Sequence, residues 1–305
     1  MDLFFGVFMP PAPTDSHASI KLALPKGRME QGVLALLSDA GIKVRASSRG
    51  YRPDVTVPGA DLAVRAKTLK PQNIVEMLHV GSRDFGFAGA DWAAELGADL
   101  TELLDTGLDP VRVVAAAPND ILEAGALPRR PLVVASEYEK LTKRWIESRG
   151  MRATFVKSFG ATEVFPPEDA DCIVDVAATG ATLVANGLAI VDELTTSSTR
   201  LYAHAASLKD PAKRAFADRL VLLLRSVLDA RRRVMLEVNV SADRLEAVVS
   251  AIPCMREPTI SPLHGSAGYA VKAAVPRDQL PRLIPEIKAR GGTDLVVYNL
   301  SQIVP

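Results

Sequence analysis

The chain has 305 residues, 48% of them hydrophobic, and its 36 basic residues balance its 36 acidic ones. This length predicts two or three domains, and the even charge disfavours nucleic acid or an acidic membrane as partner. Two cysteines, Cys172 and Cys254, are too few and too far apart for a disulfide framework or a metal knuckle. No stretch approaches the ~20 apolar residues of a membrane-spanning helix. We therefore expect a cytoplasmic protein that acts on small molecules.

The N-terminal third predicts a loose extension followed by alternating strands and helices. Residues 1–18 form the expected extension, because their short apolar stretch leads into prolines rather than a cleavage site. Residues 20–24 predict a strand that leads, through a turn, into a helix ending at Gly41. Residues 45–58 are polar and predict a loop. A strand at 61–65 and a helix at 71–80 follow.

Two strand ends in this region carry side chains suited to a phosphorylated ligand. Lys26 and Arg28, on either side of Gly27, follow the first strand, at the edge where open α/β sheets bind ligands. A later strand ends at Gly89, which permits close approach of a ligand, and Asp91. The alternatives are solvated surface charges for the two cations and a helix cap for Asp91.

The middle of the chain predicts a second lobe. A turn at 108–110 places a domain boundary near residue 109, after which strands and helices alternate again. The Ser- and Thr-rich segment 192–199 then predicts a return of the chain to the first lobe. Such a two-lobed α/β unit resembles the type II periplasmic binding protein fold, with the ligand between the lobes. The expected ranges are 19–109 with 196–232 for lobe I, and 110–195 for lobe II.

The segment 171–188 carries the clearest binding chemistry. Asp171 precedes a buried apolar strand, which we expect to end at Asp175. Small residues at 179–182 then predict a loop before a helix N-terminus, where backbone N–H groups and two Thr hydroxyls favour a phosphate. The two carboxylates would repel that phosphate, so we expect them to face sugar hydroxyls or a hydrated metal. Thr and Gly here are alternatively an ordinary cap and turn.

The C-terminal region has a different order of elements. Residues 211–232 predict a long helix that closes with basic residues. Residues 233–305 follow the order βαββαβ, which is the ferredoxin-like arrangement, without a strand-end acid, phosphate loop or nucleophile of their own. The chain's four histidines show no metal-ligand spacing, and no nucleophile stands beside a base. The sequence therefore predicts neither a catalytic side chain nor a protein-held metal.

Several motifs together resemble ATP phosphoribosyltransferase, the first enzyme of histidine biosynthesis. Leu24-Pro-Lys-Gly-Arg28 is similar to the family's N-terminal motif, and Ile260-Ser-Pro-Leu263 to the C-terminal regulatory domain of its long form. The resemblance covers about residues 19 to 305. The motifs that resemble the phosphoribosyl-pyrophosphate signature are Gly160-Ala-Thr-Glu-Val164, the run 170–175, Thr179-Gly-Ala-Thr-Leu183 and Asn186-Gly-Leu188.

The resemblance implies two sets of binding residues. Phosphoribosyl pyrophosphate is expected at Glu163, Asp171, Asp175, Thr179, Gly180, Ala181 and Thr182. ATP is expected at Lys26, Gly27, Arg28, Arg49, Gly89 and Asp91. Arg49 has a loose match, so an exposed salt bridge is its alternative. Two departures are Ala178, where many relatives carry a hydroxyl, and residues 69–74, which replace the usual Asp-Ile-Pro segment.

The implied reaction is attack of a ring nitrogen of ATP on the anomeric carbon of phosphoribosyl pyrophosphate, with loss of pyrophosphate. The substrates supply nucleophile and leaving group, so the protein supplies positioning and charge. Mg²⁺ is expected to arrive with the pyrophosphate. Histidine is the expected inhibitor of a homo-oligomer, from dimer to hexamer. The alternative function is a non-catalytic cytosolic sensor of small molecules, because fold does not fix function.

Overall fold

The computed structural model describes residues 19–46 and 50–304, which form a ten-stranded and a four-stranded sheet with helices packed on both. The predicted extension 1–18 and Arg49 lie outside the described residues. The strands of the larger sheet are β1 (Ile20–Pro25), β2 (Lys43–Arg45), β3 (Asp54–Thr56), β4 (Val64–Leu69), β5 (Phe85–Gly89), β6 (Thr101–Pro118), β7 (Leu132–Ser136), β8 (Ala153–Lys157), β9 (Cys172–Ala177) and β10 (Leu188–Ala203). Their helices are α1 (Glu30–Asp39), α2 (Pro71–His79), α3 (Ala90–Leu96), α4 (Glu139–Ser148), α5 (Ala181–Ala185) and α6 (Pro211–Arg231).

The larger sheet has the strand order β2-β3-β4-β1-β5-β10-β6-β9-β7-β8. In lobe I, β1 runs parallel to β4 and β5, and helices cover both faces. Leu22 and Leu24 pack with α1 and α6 on one face, whereas Ala23 packs with α2 on the other. Burial on both faces explains why β1 and β5 are mainly apolar runs rather than alternating patterns.

Two long strands connect the lobes. β6 has 18 residues and β10 has 16, and they pair antiparallel along their length, with register shifts between residues 190 and 202. The predicted turn at 108–110 is wrong, because that segment lies inside β6. Segment 192–199 lies inside β10, whose last residues pair with β5, so the chain returns to lobe I within a strand. Asp109 has a positive φ of 48°, so the turn residues bend β6 without reversing the chain.

The structure also corrects the limits of three other predicted elements. The predicted loop 45–58 contains the short strand β3, and the strand expected at 61–65 is displaced to β4. The strand expected to end at Asp175 continues for two more residues, because β9 stays paired with β6 as far as Ala177. These differences are typical of short or partly polar strands, for which cross-strand pairing decides the limits.

The C-terminal domain confirms the predicted ferredoxin-like arrangement. Its four strands have the order β12-β13-β11-β14, and every adjacent pair is antiparallel. Alternate residues of β11, beginning with Val234 and Leu236, are buried against the two helices. The elements are β11 (Arg233–Val240), α7 (Leu245–Val249), β12 (Thr259–Pro262), β13 (Tyr269–Pro276), α8 (Leu280–Ala289) and β14 (Thr293–Asn299). Together with the two-lobed α/β unit, this confirms the predicted fold class.

Helix α6 joins the two parts of the chain. Asp210 caps its N-terminus by accepting from the N–H groups of Ala212 and Lys213, and Pro211 occupies the first turn, so the helix start matches its sequence signal. Its buried stripe, which includes Leu220 and Leu224, packs on lobe I. None of the helices in the described part of the chain combines the length and apolarity needed to cross a membrane.

A buried ion pair fixes α6 to the sheet. Asp84, which is 3% exposed, accepts hydrogen bonds from Lys213 Nζ at 2.7 Å, from Ser207 Oγ at 2.7 Å and from the N–H of Lys21 at 2.8 Å. Burial opposes ionisation of Asp84, but these three donors outweigh it and lower the pKa of its carboxyl. The pair thus joins β1, the start of β5 and α6.

We expect Asp84→Asn to lower the free energy of unfolding by about 1 to 3 kcal/mol at neutral pH, because it removes a charged hydrogen-bond acceptor from a buried site. A lowered pKa gives stability that is present above the unfolded pKa and lost as pH falls through the folded pKa. The difference between the wild type and Asp84→Asn in free energy of unfolding, measured with urea, should therefore become smaller in acid. Asp39→Asn, which breaks an exposed pair with Arg231, should cost less than about 1 kcal/mol. Equal losses in the two variants would contradict this assignment.

Candidate active site

The predicted phosphate loop lies directly after β9. Residues 178–180 leave the strand, Gly180 precedes α5 with φ of 81°, and the N–H of Ala181 donates to Thr179 Oγ1 at 3.3 Å. Within residues 50–304, the N–H groups of Thr179, Gly180 and Thr182 donate to no protein acceptor. Both Thr side chains are exposed. The loop therefore offers hydroxyl and N–H donors to an anion, and its glycine serves the left-handed backbone.

Six of the seven residues expected at the sugar donor line one cavity. It has a volume of about 250 Å³, and a short 3₁₀ turn brings Glu163 to it from the loop after β8. That turn is held by a buried hydrogen bond of 2.7 Å between Ser158 Oγ and Thr162 Oγ1. The six residues are Glu163, Asp175, Thr179, Gly180, Ala181 and Thr182.

Asp175 is a partly buried carboxyl that lines this cavity. Burial, with smaller contributions from the charges of Glu163 and Glu137, raises the pKa of Asp175 to about 6. Its Oδ1 accepts from the N–H of Val176 at 2.6 Å, which only partly offsets these effects. A carboxyl that resists ionisation beside other acids is suited to a ligand that brings hydroxyl donors or positive charge.

Asp171 does not join the cavity. It precedes β9, and the four residue steps from Asp171 to Asp175 span about 13 Å along the strand. Its carboxylate accepts from Arg130 Nη2 at 2.7 Å and from the N–H of Val133 at 2.8 Å. Burial opposes ionisation of Asp171, but these donors outweigh it and lower its pKa. The structure thus places Asp171 at the amino end of the strands, where it joins β7 to β9.

The two predicted cations follow β1 of lobe I. Lys26 follows β1 with its ammonium 5.7 Å from the centre of the Tyr51 ring, and Arg28 Nη1 donates to the backbone oxygen of Asp109 at 2.8 Å. Asp109 lies three residues before Arg112, which pairs with Ala177 at the start of the phosphate loop. Three strand residues span about 10 Å, so Arg28 contacts β6 near that loop.

Gly89 and Asp91 lie at the end of β5, but their contacts are internal. Asp91 is 2% exposed, and its carboxylate accepts from Ser197 Oγ at 2.6 Å and from Tyr138 Oη at 2.7 Å. A Cβ atom on Gly89 would collide with Asp91 Oδ1. The glycine is therefore required by the neighbouring carboxylate, and the structure gives neither residue an exposed polar side chain toward the cleft. No sequence pattern indicates Tyr138 or Ser197 as partners of Asp91.

A larger cavity lies away from this site. It has a volume of about 650 Å³ and is lined by Trp145 and four arginines at the amino end of the lobe II strands. Two of these arginines pair with carboxylates, Arg130 with Asp171 and Arg149 with Asp192. Its lining includes none of the residues predicted from sequence to bind a substrate.

Comparisons with known proteins identify the family of this chain. The model of the family described as HisG, ATP phosphoribosyltransferase, matches residues 70–226, and the model of its C-terminal domain matches residues 230–302. An ATP phosphoribosyltransferase from Pelotomaculum thermopropionicum is 34% identical over 94% of this chain and 99% of its own length. The chain belongs to the ATP phosphoribosyltransferase family.

Other ATP phosphoribosyltransferases support this membership. The one from Chlorobium phaeovibrioides is 33% identical over 95% of this chain and 99% of its own. The solved structure of the ATP phosphoribosyl transferase (HisG:HisZ) complex from Thermotoga maritima is 26% identical, with a TM-score of 0.58 over 68% of this chain and 98% of its own. The chain is thus a member of a transferase family, and nothing in these comparisons favours a non-catalytic sensor.

The raised pKa of Asp175 has a consequence for stability that needs no substrate. Because its folded pKa lies above its unfolded value, the folded state loses stability as pH rises from about 4 to about 6. The quantity to compare is the free energy of unfolding of Asp175→Asn minus that of the wild type, in Mg²⁺-free buffer. This difference should increase by about 1 to 3 kcal/mol when the buffer is changed from mildly acidic to mildly basic. Urea unfolding at both pH values measures this gain.

Asp171→Asn is the matched control, because its carboxyl has a lowered pKa and should stabilise the fold when ionised. Its free energy of unfolding, relative to the wild type, should change in the opposite direction with pH. The change should be small, because Arg130 is half exposed. If the rise in pH changed the stability of both variants in the same direction relative to the wild type, the environments assigned to Asp175 and Asp171 would be contradicted.

Proposed function

We propose that the protein condenses ATP with phosphoribosyl pyrophosphate to give phosphoribosyl-ATP and pyrophosphate, the first step of histidine biosynthesis, in the cytoplasm. The observation that carries this proposal is the cavity shared by Glu163, Asp175 and the loop 179–182 in a chain of this family. The loop has phosphate-binding chemistry, and the carboxylates have hydroxyl-binding chemistry. A phosphorylated sugar is the ligand class that needs both.

The proposed roles follow from this chemistry. Thr179 and Thr182, with the loop N–H groups, bind the 5′-phosphate, and Asp175 orients the ribose hydroxyls. Lys26 and Arg28 attract the phosphates of ATP or the leaving pyrophosphate from the opposite lobe. Asp171 and Asp91 have no direct substrate contact in this proposal, because their carboxylates accept from protein donors. Gly89 has none either, because its α-carbon faces the Asp91 carboxylate.

Mg²⁺ fits this site as a companion of the substrate. In the described ranges, no group of three or more His, Cys, Asp or Glu side chains forms a metal site. Glu163 and Asp175 nevertheless line one cavity and supply the carboxylate oxygens that Mg²⁺ prefers. We propose that these two residues hold the ion. When bound, it neutralises charge on the leaving pyrophosphate.

The first test is release of pyrophosphate when purified protein is mixed with ATP, Mg²⁺ and phosphoribosyl pyrophosphate. Thr182→Val removes a hydroxyl at nearly constant volume, so it should weaken donor binding by the ~1.5 to 3 kcal/mol of a hydrogen bond to a charged group. That loss corresponds to an increase of about 10- to 150-fold in the apparent KM for phosphoribosyl pyrophosphate. Steady-state kinetics measures it.

Thr154→Val is the matched control, because Thr154 is an exposed threonine on β8 of the same lobe, outside the cavity. Its KM for the sugar donor should equal that of the wild type. No pyrophosphate release by the wild type would overturn the proposed function. An unchanged KM in Thr182→Val would overturn only the assignment of the loop.

We propose further that the C-terminal domain makes the enzyme responsive to histidine. Its core, which includes Val238 and Ile287, shares no residue with the clusters of the two lobes in the described chain. An inhibitor that acts from such a domain must bind one arrangement more tightly than another. Exposed strand edges at β12 and β14 offer pairing surfaces for a homo-oligomer.

Histidine should lower the rate of pyrophosphate release by the full chain, and a chain that ends at Arg233 should lose this response. The shortened chain keeps the cores of both lobes, so we expect it to fold. Initial rates over a range of histidine and ATP concentrations, together with light scattering, measure inhibition and assembly. Undiminished activity of the full chain in excess histidine would remove the regulatory proposal and leave the catalytic one intact.

A further inference from the structure

Two helices of different lobes contact each other beside the cleft. α3 follows the carboxyl end of β5 in lobe I, and α4 follows the carboxyl end of β7 in lobe II. The ring centres of Trp92 in α3 and Tyr138 before α4 are 4.6 Å apart. This contact is separate from the strands β6 and β10, which also connect the lobes.

A buried hydrogen-bond network forms the centre of the contact. Asp91 of α3 accepts from Tyr138 Oη, which belongs to lobe II, and from Ser197 Oγ, which belongs to the connecting strand β10. Ser197 Oγ also accepts from the N–H of Asp91 at 3.0 Å. Asp91, Tyr138 and Ser197 are only 2%, 3% and 5% exposed. Breaking the network would therefore leave a buried carboxylate without a donor, which is costly.

The two helices also complete each other's ends. The first N–H groups of a helix have no partner within it, and Tyr138 supplies no side-chain cap to α4. Glu95 of α3 supplies one instead, because its carboxylate oxygens accept from the N–H groups of Lys140 at 3.0 Å and Leu141 at 2.9 Å. In return, Lys140 Nζ donates to the backbone oxygen of Leu96, at the end of α3, at 2.8 Å.

We propose that Asp91, Glu95 and Tyr138 are positioning residues, which hold the two lobes in one relative orientation so that Arg28 faces the phosphate loop. The catalytic part of this inference rests on the proposed function. Two antiparallel strands with register shifts can bend, whereas a second buried contact beside them resists bending. In this arrangement the loops at the cleft position the substrates, and the lobes do not open and close freely.

Hydrogen exchange measures the contact without any substrate. The N–H groups of Lys140 and Leu141 lie in the first turn of α4, so Glu95 is the acceptor that protects them. We expect slow exchange at both positions in the full-length wild type. Tyr138→Phe removes only the hydroxyl that binds Asp91, and it should accelerate exchange at Lys140 and Leu141 more than elsewhere in α4.

The same variant should lose catalytic efficiency. Misalignment of the lobes affects the transition state more than either substrate alone, so kcat should fall about tenfold with a smaller change in each KM. Tyr202→Phe is the matched control, since Tyr202 is 5% exposed in the same apolar cluster and its hydroxyl has no protein partner within the described chain. This control should change neither exchange at the two amides nor kcat.

Glu95→Gln provides a second variant in case Tyr138→Phe does not fold, because an amide side chain retains one of the two acceptor oxygens. It should also accelerate exchange at Lys140 and Leu141 and lower kcat. Unchanged exchange in the folded variants would overturn the contact, and faster exchange with unchanged kcat would overturn its role in positioning. A wild type that releases no pyrophosphate but shows the expected exchange pattern would overturn the proposed function and support the contact.

Discussion

The antiparallel pairing of β6 and β10 is the constraint on which the rest of the catalytic unit depends. These strands carry one continuous sheet through both lobes, so the parallel strands of each lobe end against the same central pair. β5 of lobe I ends at Gly89 beside Thr199, and β9 of lobe II ends at Ala177 beside Arg112. The carboxyl edges of the lobes, where α/β sheets bind ligands, therefore meet over one short stretch of β6 and β10.

The aspartates of the two lobes divide into two electrostatic kinds. Asp84, Asp171 and Asp192 accept from cations, and their pKa values are lowered. Asp175 has no such partner in the described chain, and burial beside Glu163 and Glu137 raises its pKa. Cationic side chains of the protein thus neutralise the first three carboxylates, whereas a positive charge for Asp175 must come from a ligand that enters the cavity. This difference separates Asp171 from Asp175 although both lie in one motif.

The sequence predicted those parts of the fold that depend on local pattern. Apolar runs such as β9, the capped helix α6 and the alternating strand β11 carry signals that packing on both sides reinforces. The polar stretches of the connecting strands β6 and β10 escaped prediction because their polar residues and bends resemble loops, and only pairing between distant segments makes them strands. Residues 179–182 followed from local chemistry, but the contacts of Asp91 with Tyr138 and Ser197 depend on tertiary structure alone.

A transferase whose substrates provide both nucleophile and leaving group makes particular demands on its fold. With no side chain to form a covalent intermediate, the rate depends on orientation, and a displacement of about 1 Å can cost about a hundredfold. In the proposed roles each lobe carries only part of the binding chemistry, so such precision depends on more than the two connecting strands. The buried contact between α3 and α4 supplies a second connection close to the substrates. In the proposed arrangement, Asp91 therefore serves the reaction by holding the two lobes together rather than by binding a substrate.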